Sequence, residues 1–314
     1  MTREAPLTNM LEIICCPLCK SNLAHIKQKL LCKKCKISYP IFKGIPIFLK
    51  KPLENKEKIN VKDFYENFGW KKTINKNFCK NEAVFDDTRQ IGLKYVSLSI
   101  LKEKSLFSKG GKYFLDCASG PIAYKEYLEL SSKYKFHVCV DFSITALLKA
   151  KQKLGSRGLY INADISSLPF KKNAFDAILC SHALYHLPKN QQRKTLNDLY
   201  RILKTNKKLV IVYDVGNNSI VSRLSNFFIK EGSNKINAPS LFSYKYPANW
   251  FKKSKNKFKK IQIRSHRLLN KNLSLLIPNN FLGYAIIYLI NSLEKMFSSF
   301  LAKFSPYITV IVYK

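Results

Sequence analysis

The chain has little negative charge. Asp and Glu number 20 against 55 Lys and Arg in 314 residues, a formal net charge of +35. That balance disfavours cationic partners and fits anionic ones: nucleic acid, an acidic membrane surface or a phosphorylated substrate. The lysines are spread along a chain also rich in Asn and Ile, a pattern that compositional bias produces equally well. Long apolar runs are missing too. The longest, Phe281 to Ile290, is too short to span a bilayer, and Glu294 and Lys295 soon follow it. Met1 to Met10 lacks an apolar core, so no signal peptide is expected. Nine cysteines without a signal then point to a reducing, cytoplasmic setting rather than to disulfides.

Five of those cysteines fall between Cys15 and Cys35. Cys16-Pro17-Leu18-Cys19 and Cys32-Lys33-Lys34-Cys35 are two C-x-x-C pairs separated by twelve residues. Each pair can form a knuckle that offers two thiolates, and four thiolates in tetrahedral array suit Zn²⁺. Lys20, Lys33, Lys34 and Lys36 offset the charge of such a centre, and Cys15 is the spectator. A closed four-cysteine site has no open position for substrate, so Zn²⁺ here is structural, holding a unit too small to fold without it. A docking surface for RNA or protein is the alternative. Leu11-Glu12-Ile13-Ile14 precedes the first knuckle and Tyr39-Pro40-Ile41-Phe42-Lys43-Gly44-Ile45-Pro46 follows the second. Over residues 7 to 50 this resembles the small zinc-ribbon family related to the activator subunit of tRNA and protein methyltransferases.

Beyond residue 111 the pattern alternates. Tyr113-Phe114-Leu115 reads as a buried strand ending at Asp116, and Cys117-Ala118-Ser119-Gly120 as a tight turn. A helix is expected from Pro121 to about Tyr134, with Tyr124, Tyr127, Leu128 and Leu130 on or near its apolar face. Strands follow at 136–140, 159–163, 175–180 and 209–213. Ser143 caps the helix after the second, and Asn190 the helix before the fifth. Five such repeats imply a doubly wound parallel sheet.

The acids specify the chemistry. Asp116, Asp141 and Asp164 end three successive strands and so share one carboxyl edge. Asp141 stands where a ribose-binding acid belongs, about 20 residues beyond the turn. Asp164 can take an adenine amino group, with Ile165 beside the ring, and Asp116 can hold the turn.

This pattern resembles the class I S-adenosylmethionine-dependent methyltransferases, especially the small-molecule group that includes quinone-biosynthesis enzymes. The resemblance covers residues 61 to 215 and includes Leu168-Pro169-Phe170 with Phe175-Asp176. It implies an α/β fold with a seven-stranded Rossmann-like sheet, and S-adenosylmethionine contacts from Asp116, Ala118, Gly120, Asp141, Phe142, Asp164, Ile165 and Ser181. It also implies that Ile261 to Arg264 and Ile308 to Tyr313 are strands six and seven, the seventh inserted antiparallel. One departure stands out. The family turn D/E-x-G-x-G-x-G is here Asp116-x-Ala118-x-Gly120-x-Ile122, with Pro121 in the motif. Ala118 does not easily take a positive φ, and Pro121 is expected to start the following helix.

Residues 51 to 111 read as linker and lid. Val61, Phe64, Tyr65 and Phe68 have helical spacing and lead to Gly69-Trp70, a stripe that fits core packing; the resemblance alternatively implies a helix covering the cofactor, with Tyr65 as its candidate and as a substrate contact. His182 and His186, four residues apart after strand four, are the candidate catalytic bases, with Tyr185 and Asp214 as further substrate contacts. The domains are then a ribbon over 1–50, lid over 51–111 and methyltransferase domain over 112–314, with an insertion at about 216–305. Within the insertion, Leu282, Ala285, Ile286, Leu289, Ile290, Leu293, Met296, Phe297 and Phe300 mark a core or lid helix, or else a lipid- or partner-facing one reaching a membrane surface through 281–301. Aromatics from Tyr244 to Phe251 beside the lysines of 252–260 are compatible with RNA. The expected function is methylation of a small-molecule, lipid-linked or saccharide acceptor. The alternatives are rRNA or tRNA methylation, since some rRNA methyltransferases also carry a zinc ribbon, and a non-catalytic binding protein with a degenerate turn.

Overall fold

The computed structural model describes residues 5–49, 55–73, 78–228, 238–253 and 258–314. Part of the expected linker (50–54) and of the lysine-rich stretch (254–257) lies outside the described residues, as do the side chains of Phe227 and Phe228, expected on an apolar helix face.

After the helix Ala5–Ile13, strands β1 (Ala24–Ile26), β2 (Lys29–Cys32), β3 (Ile37–Phe42) and β4 (Ile45–Pro46) form a small antiparallel sheet in sequence order. Lys20 and Lys36, directly after each C-x-x-C, take φ of 60° and 55° and reverse the chain around the thiols. The ribbon is fastened to the rest of the molecule along its length. Met10, Ile13, Ile14, Leu30, Tyr39 and Phe48 share one core with the main sheet. Cys15 N–H donates to Pro169 O at 2.8 Å, and Phe48 N–H to Asn162 O at 2.7 Å.

The main sheet has seven strands: β5 (Gly111–Cys117), β6 (Tyr134–Asp141), β7 (Gly158–Asn162), β8 (Phe175–Ser181), β9 (Leu203–Asp214), β10 (Lys260–Arg267) and β11 (Tyr307–Tyr313). Their order is β10-β11-β9-β8-β5-β6-β7. β5 to β9 run parallel, and β11 lies antiparallel between β9 and β10 as the resemblance implied. Strand order reverses between β5 and β8, the point where the carboxyl ends of a doubly wound sheet open a crevice. Nearly all of β5, β6 and β7 is buried, as their apolar runs predict.

Two helix starts differ from expectation. The helix after the turn spans only Glu126–Leu130, so Pro121 lies within the turn and does not start it. Ala118, Gly120 and Ile122 take φ of 61°, 54° and 52°, and that left-handed path delays the helix. The backbone is therefore left-handed at each position where the related motif has glycine, despite the side chains at Ala118 and Ile122. For an L-residue this costs about 1–2 kcal/mol; Ile122 offsets it by burying its side chain in the cluster that holds Ile45, Cys139 and Leu147. Ala118→Gly is expected to relieve its share and raise the melting midpoint by about 2 °C. Differential scanning calorimetry checks this; a lowered midpoint would show that Ala118 is not strained. The helix Lys189–Ile202 begins directly after Pro188 without a side-chain cap, so Asn190 sits in its first turn and does not cap it. Ser143 does cap its helix, accepting from Ala146 N–H at 3.2 Å.

The helix Phe281–Met296 departs furthest from a core helix. Its buried residues are Gly283, Ile287, Asn291 and Glu294, while Leu282, Leu289, Leu293 and Met296 are exposed.

Candidate active site

A partly open cavity of about 270 Å³ lies at the carboxyl ends of the parallel strands. Its wall includes Asp116, Ala118, Asp141, Phe142, Asp164, Ile165 and Ser181 together with Tyr65, His182, Tyr185, His186 and Asp214. Of the expected site residues outside the ribbon, Gly120 alone is not in its wall. Gly120 instead serves the turn: its N–H donates to Asp141 Oδ2 at 2.9 Å, and a Cβ there would stand 2.7 Å from the Trp70 ring. The close approach of Trp70 and the positive φ both require glycine here.

Each acid is already held. Asp141 Oδ1 accepts from Ser143 N–H at 2.8 Å. Burial pushes the Asp141 carboxyl up to about 6, against those two backbone donors. Asp116 faces His137 Nε2 at 3.4 Å, whose Nδ1 meets Ser131 Oγ at 2.8 Å. Asp164 Oδ1 accepts from Ser166 N–H, and its Oδ2 pairs with Lys58 Nζ at 2.6 Å. Lys58 comes from the helix Lys56–Phe64, so this ion pair ties that helix to the end of β7.

The chain continues from that helix through one wide turn, Tyr65–Gly69. Tyr65 stacks on Trp70 with centroids 4.8 Å apart and meets Phe142 and His186 edge-on. Its hydroxyl reaches His186 Nε2 at 3.4 Å. His186 Nδ1 donates to Phe242 O at 2.8 Å, which leaves Nε2 as the acceptor. Burial lowers His186 to about 4 and His182 to about 3, with Arg267 adding to the effect at His182. Burial thus favours the neutral form of both rings.

Several cavity residues carried no sequence signal. Tyr124 and Tyr127, expected on a helix face, line the cavity; Tyr124 donates to Asp86 Oδ2 at 2.7 Å, and Tyr127 pairs with Ser181 Oγ at 2.9 Å. Arg267 reaches Asp86 Oδ1 at 2.8 Å and lies over the Tyr307 ring at 4.4 Å. Burial opposes the Asp86 charge, but Arg267 and the Tyr124 hydroxyl hold its carboxyl below the usual range. Lys245 pairs with Asp214 at 2.6 Å. It belongs to a roofing segment in which Phe242 N–H donates to Asn60 Oδ1 and Tyr244 N–H to Tyr185 O. Strand register brings two of these residues to the site: Arg267 ends β10 opposite Tyr307, which in turn pairs with Asp214 at the end of β9.

The aromatics of 244–251 are turned to packing. Tyr246 stacks on Trp250 at 4.4 Å, Arg193 covers Trp250 at 3.8 Å, and Phe251 is buried against Tyr213.

In the ribbon, the Sγ atoms of Cys16, Cys19, Cys32 and Cys35 all lie within 4.8 Å of one another. Cys19 and Cys32 are 3.5 Å apart, Cys16 and Cys35 4.0 Å. Zn–S bonds of about 2.3 Å in a tetrahedron place sulfurs about 3.8 Å apart, so the set fits Zn²⁺. The Tyr39 hydroxyl lies 3.3 Å from Cys16 Sγ. Cys15 is buried outside the cluster and its thiol is pushed up by burial.

Comparison with known proteins agrees with both halves. Residues 9–44 match the Trm112p-like protein family and residues 115–211 the methyltransferase domain family. The uncharacterized protein MJ0638 of Methanocaldococcus jannaschii is 32% identical over 152 residues, 48% of this chain and 60% of that protein. A UPF0434 protein of Legionella pneumophila is 42% identical over 55 residues, which is 16% of this chain and 93% of that protein. Among solved structures, phosphoethanolamine N-methyltransferase 1 of Haemonchus contortus shares the fold, with a TM-score of 0.51 at 12% identity over 82% of this chain and 48% of that one. Residues 115–211 thus match a methyltransferase domain and residues 9–44 a Trm112p-like zinc ribbon, and the seven-stranded sheet and the four-cysteine cluster agree with both matches.

Proposed function

We propose that the chain transfers a methyl group from S-adenosylmethionine to a small-molecule, lipid-linked or saccharide acceptor. The observation that carries this reading is the single cavity, which joins the acids at the ends of β5, β6 and β7 to tyrosines, Lys245 and Arg267. When bound, S-adenosylmethionine supplies a sulfonium methyl open to in-line attack.

The chain's own residues bind, orient and exclude water. Asp141 would accept from ribose hydroxyls through the lone pairs its backbone donors leave free. Asp164 and Ile165 would face the adenine, and Asp116, Ala118 and Gly120 would form the turn beside the rest of the cofactor, with Phe142 and Ser181 in the adjoining wall. Tyr65 and Trp70 close that side. Tyr185, Tyr307, Arg267 and the Lys245–Asp214 pair would receive the acceptor. His182 and His186, neutral and weakly basic, would orient an acceptor by hydrogen bonds rather than remove its proton.

The pH dependence follows. The buried neutral form of Asp141 is favoured by the fold, so this group's contribution to stability is full below the unfolded carboxyl range and is lost as pH rises through about 6. Ribose binding calls for the charged form. Cofactor affinity is therefore expected to fall as pH drops through about 6, and His186→Gln should leave that limb in place. Titrations from pH 5 to 8 check this; a limb abolished by His186→Gln would assign it to the histidine.

The acceptor class is tested by incubating the protein with methyl-tritiated S-adenosylmethionine and fractionated cell extract. Label in the low-mass or lipid fraction supports the proposal. Label confined to RNA would overturn it in favour of an rRNA or tRNA methyltransferase.

A further inference from the structure

The helix Phe281–Met296 is apolar on two sides: Ile287 is fully buried against Ile91 and Tyr95, with Tyr284, Ile286 and Ile290 packed beside it, and a second apolar side faces outward. Its inward side carries Glu294, which is fully buried and accepts from the Tyr95 hydroxyl at 2.5 Å, Lys102 Nζ at 2.6 Å and Leu268 N–H at 2.7 Å. Asn291 is buried on the same side, with Gly283 close against Pro278 O. The contacts of Glu294 thus hold this side inward and leave the other apolar side outward. Phe281 is 90% exposed, Met296 70%, Leu282 and Leu289 60% each, and Leu293, Phe297 and Phe300 are exposed as well. The turn that feeds the helix adds Leu275 and Leu276. A continuous outward apolar face of this kind marks an interaction site on a water-facing protein.

The charges around it indicate what covers it. After Asp214 the sequence holds two acids, Glu231 and Glu294, and Glu294 is buried. From residue 268 onward no carboxylate side chain is exposed among the described residues, while Lys295 and Lys303 are. Lys94 lies over the Tyr288 ring at 5.5 Å and Lys303 over the Phe300 ring at 5.7 Å, ammonium groups set beside the apolar face. An apolar helical face edged by lysines, free of exposed acids and on a chain of net charge +35 complements an anionic bilayer surface. A soluble partner would need to match apolar area and carry negative charge together; an anionic lipid surface does both. The helix is not long and apolar enough to cross the membrane. It can only lie along it.

We propose that the face formed by Phe281, Leu282, Leu289, Leu293, Met296 and Phe300 docks the protein on an anionic lipid surface. The helix Gln90–Leu101 separates this face from the cavity: Ile91 and Tyr95 pack with Ile287, while Val96 and Ile100 line the cavity wall. Docking would therefore set the cavity one helix away from the bilayer, within reach of an acceptor held in lipid. The docking itself does not depend on methyl transfer.

The test is co-sedimentation of the full chain with phosphatidylcholine vesicles containing none or about 40% phosphatidylglycerol, at low and high salt. Binding to the anionic vesicles, weakened by salt, is expected. The double variant Leu289→Ser/Met296→Ser is expected to lose tenfold or more in partitioning, since each side chain gives up its burial in lipid. Both positions are solvent-facing, so the melting midpoint and S-adenosylmethionine affinity of the variant should match the parent. Absence of binding to anionic vesicles, or equal binding by parent and double variant, would overturn the proposal. So would a dimer in sedimentation equilibrium that the same substitutions render monomeric, because the face would then belong to a second copy. Failure to bind S-adenosylmethionine would count against the catalytic reading and leave the vesicle result standing.

Discussion

Replacing Asp141 with alanine is expected to weaken S-adenosylmethionine binding by about 1–3 kcal/mol, or roughly 5- to 150-fold. Two effects add. The first is loss of the charged acceptor for the ribose. The second is release of Gly120 N–H and Ser143 N–H, which the carboxylate holds at 2.9 and 2.8 Å and which set the turn and the start of the next helix. Their separation is measurable. Asp164→Ala removes an acid that faces the same cavity but is latched to Lys58, so its loss frees the helix that carries Lys58 as well. The Asp141 variant should lose affinity with little change in that helix's protection against hydrogen exchange. The Asp164 variant should lose protection across residues 56–64. An Asp141→Ala protein with unchanged affinity would mean that the cofactor does not reach this strand end.

Zinc removal has the largest expected effect on structure. A structural Zn²⁺ contributes about 10–16 kcal/mol to folding small zinc modules, far more than the ribbon's own core can replace. The consequence should not stop at the ribbon. Phe48 N–H donates to Asn162 O, and the Asn162 side-chain amide donates to the carbonyls of Asp141 and Phe142 at 3.1 and 2.8 Å. Leu49, at the end of the ribbon, itself lines the cavity. Cys16→Ser, or a strong chelator, is therefore expected to lower the melting midpoint and to weaken cofactor binding at least several-fold. Elemental analysis should find one zinc per chain before treatment. A zinc-free, folded methyltransferase domain with unaltered cofactor affinity would show that the ribbon is only an appendage.

The parts of this molecule that were legible in the sequence share a property: their signal is local and repeated. β5, β6 and β7 are short apolar runs because both faces of the sheet are covered, and each leads into an aspartate. The two C-x-x-C pairs carry their chemistry in their spacing. What was not legible depends on contacts between distant segments. Lys58 is one lysine among many, and only the placement of its helix makes it the partner of Asp164. The roof over the cavity comes from residues near 242–245, which nothing in their composition ties to His186 or Asp214. Ala118 was expected to resist a positive φ, and in isolation it would. Val140 O, which accepts from Ala118 N–H at 2.8 Å, and the Asp141–Gly120 bond hold the turn in that path. The periodicity of 281–300 shows an apolar helix; it does not say which side points inward. Glu294, bound to Tyr95 and Lys102, decides it.

Titration calorimetry of the zinc-loaded full chain with S-adenosylmethionine and S-adenosylhomocysteine tests the central claim most directly. One site per chain is predicted, with a dissociation constant of about 100 µM or tighter. No binding of either compound at millimolar concentration would contradict it, and would leave a methyltransferase fold whose altered turn no longer holds the cofactor.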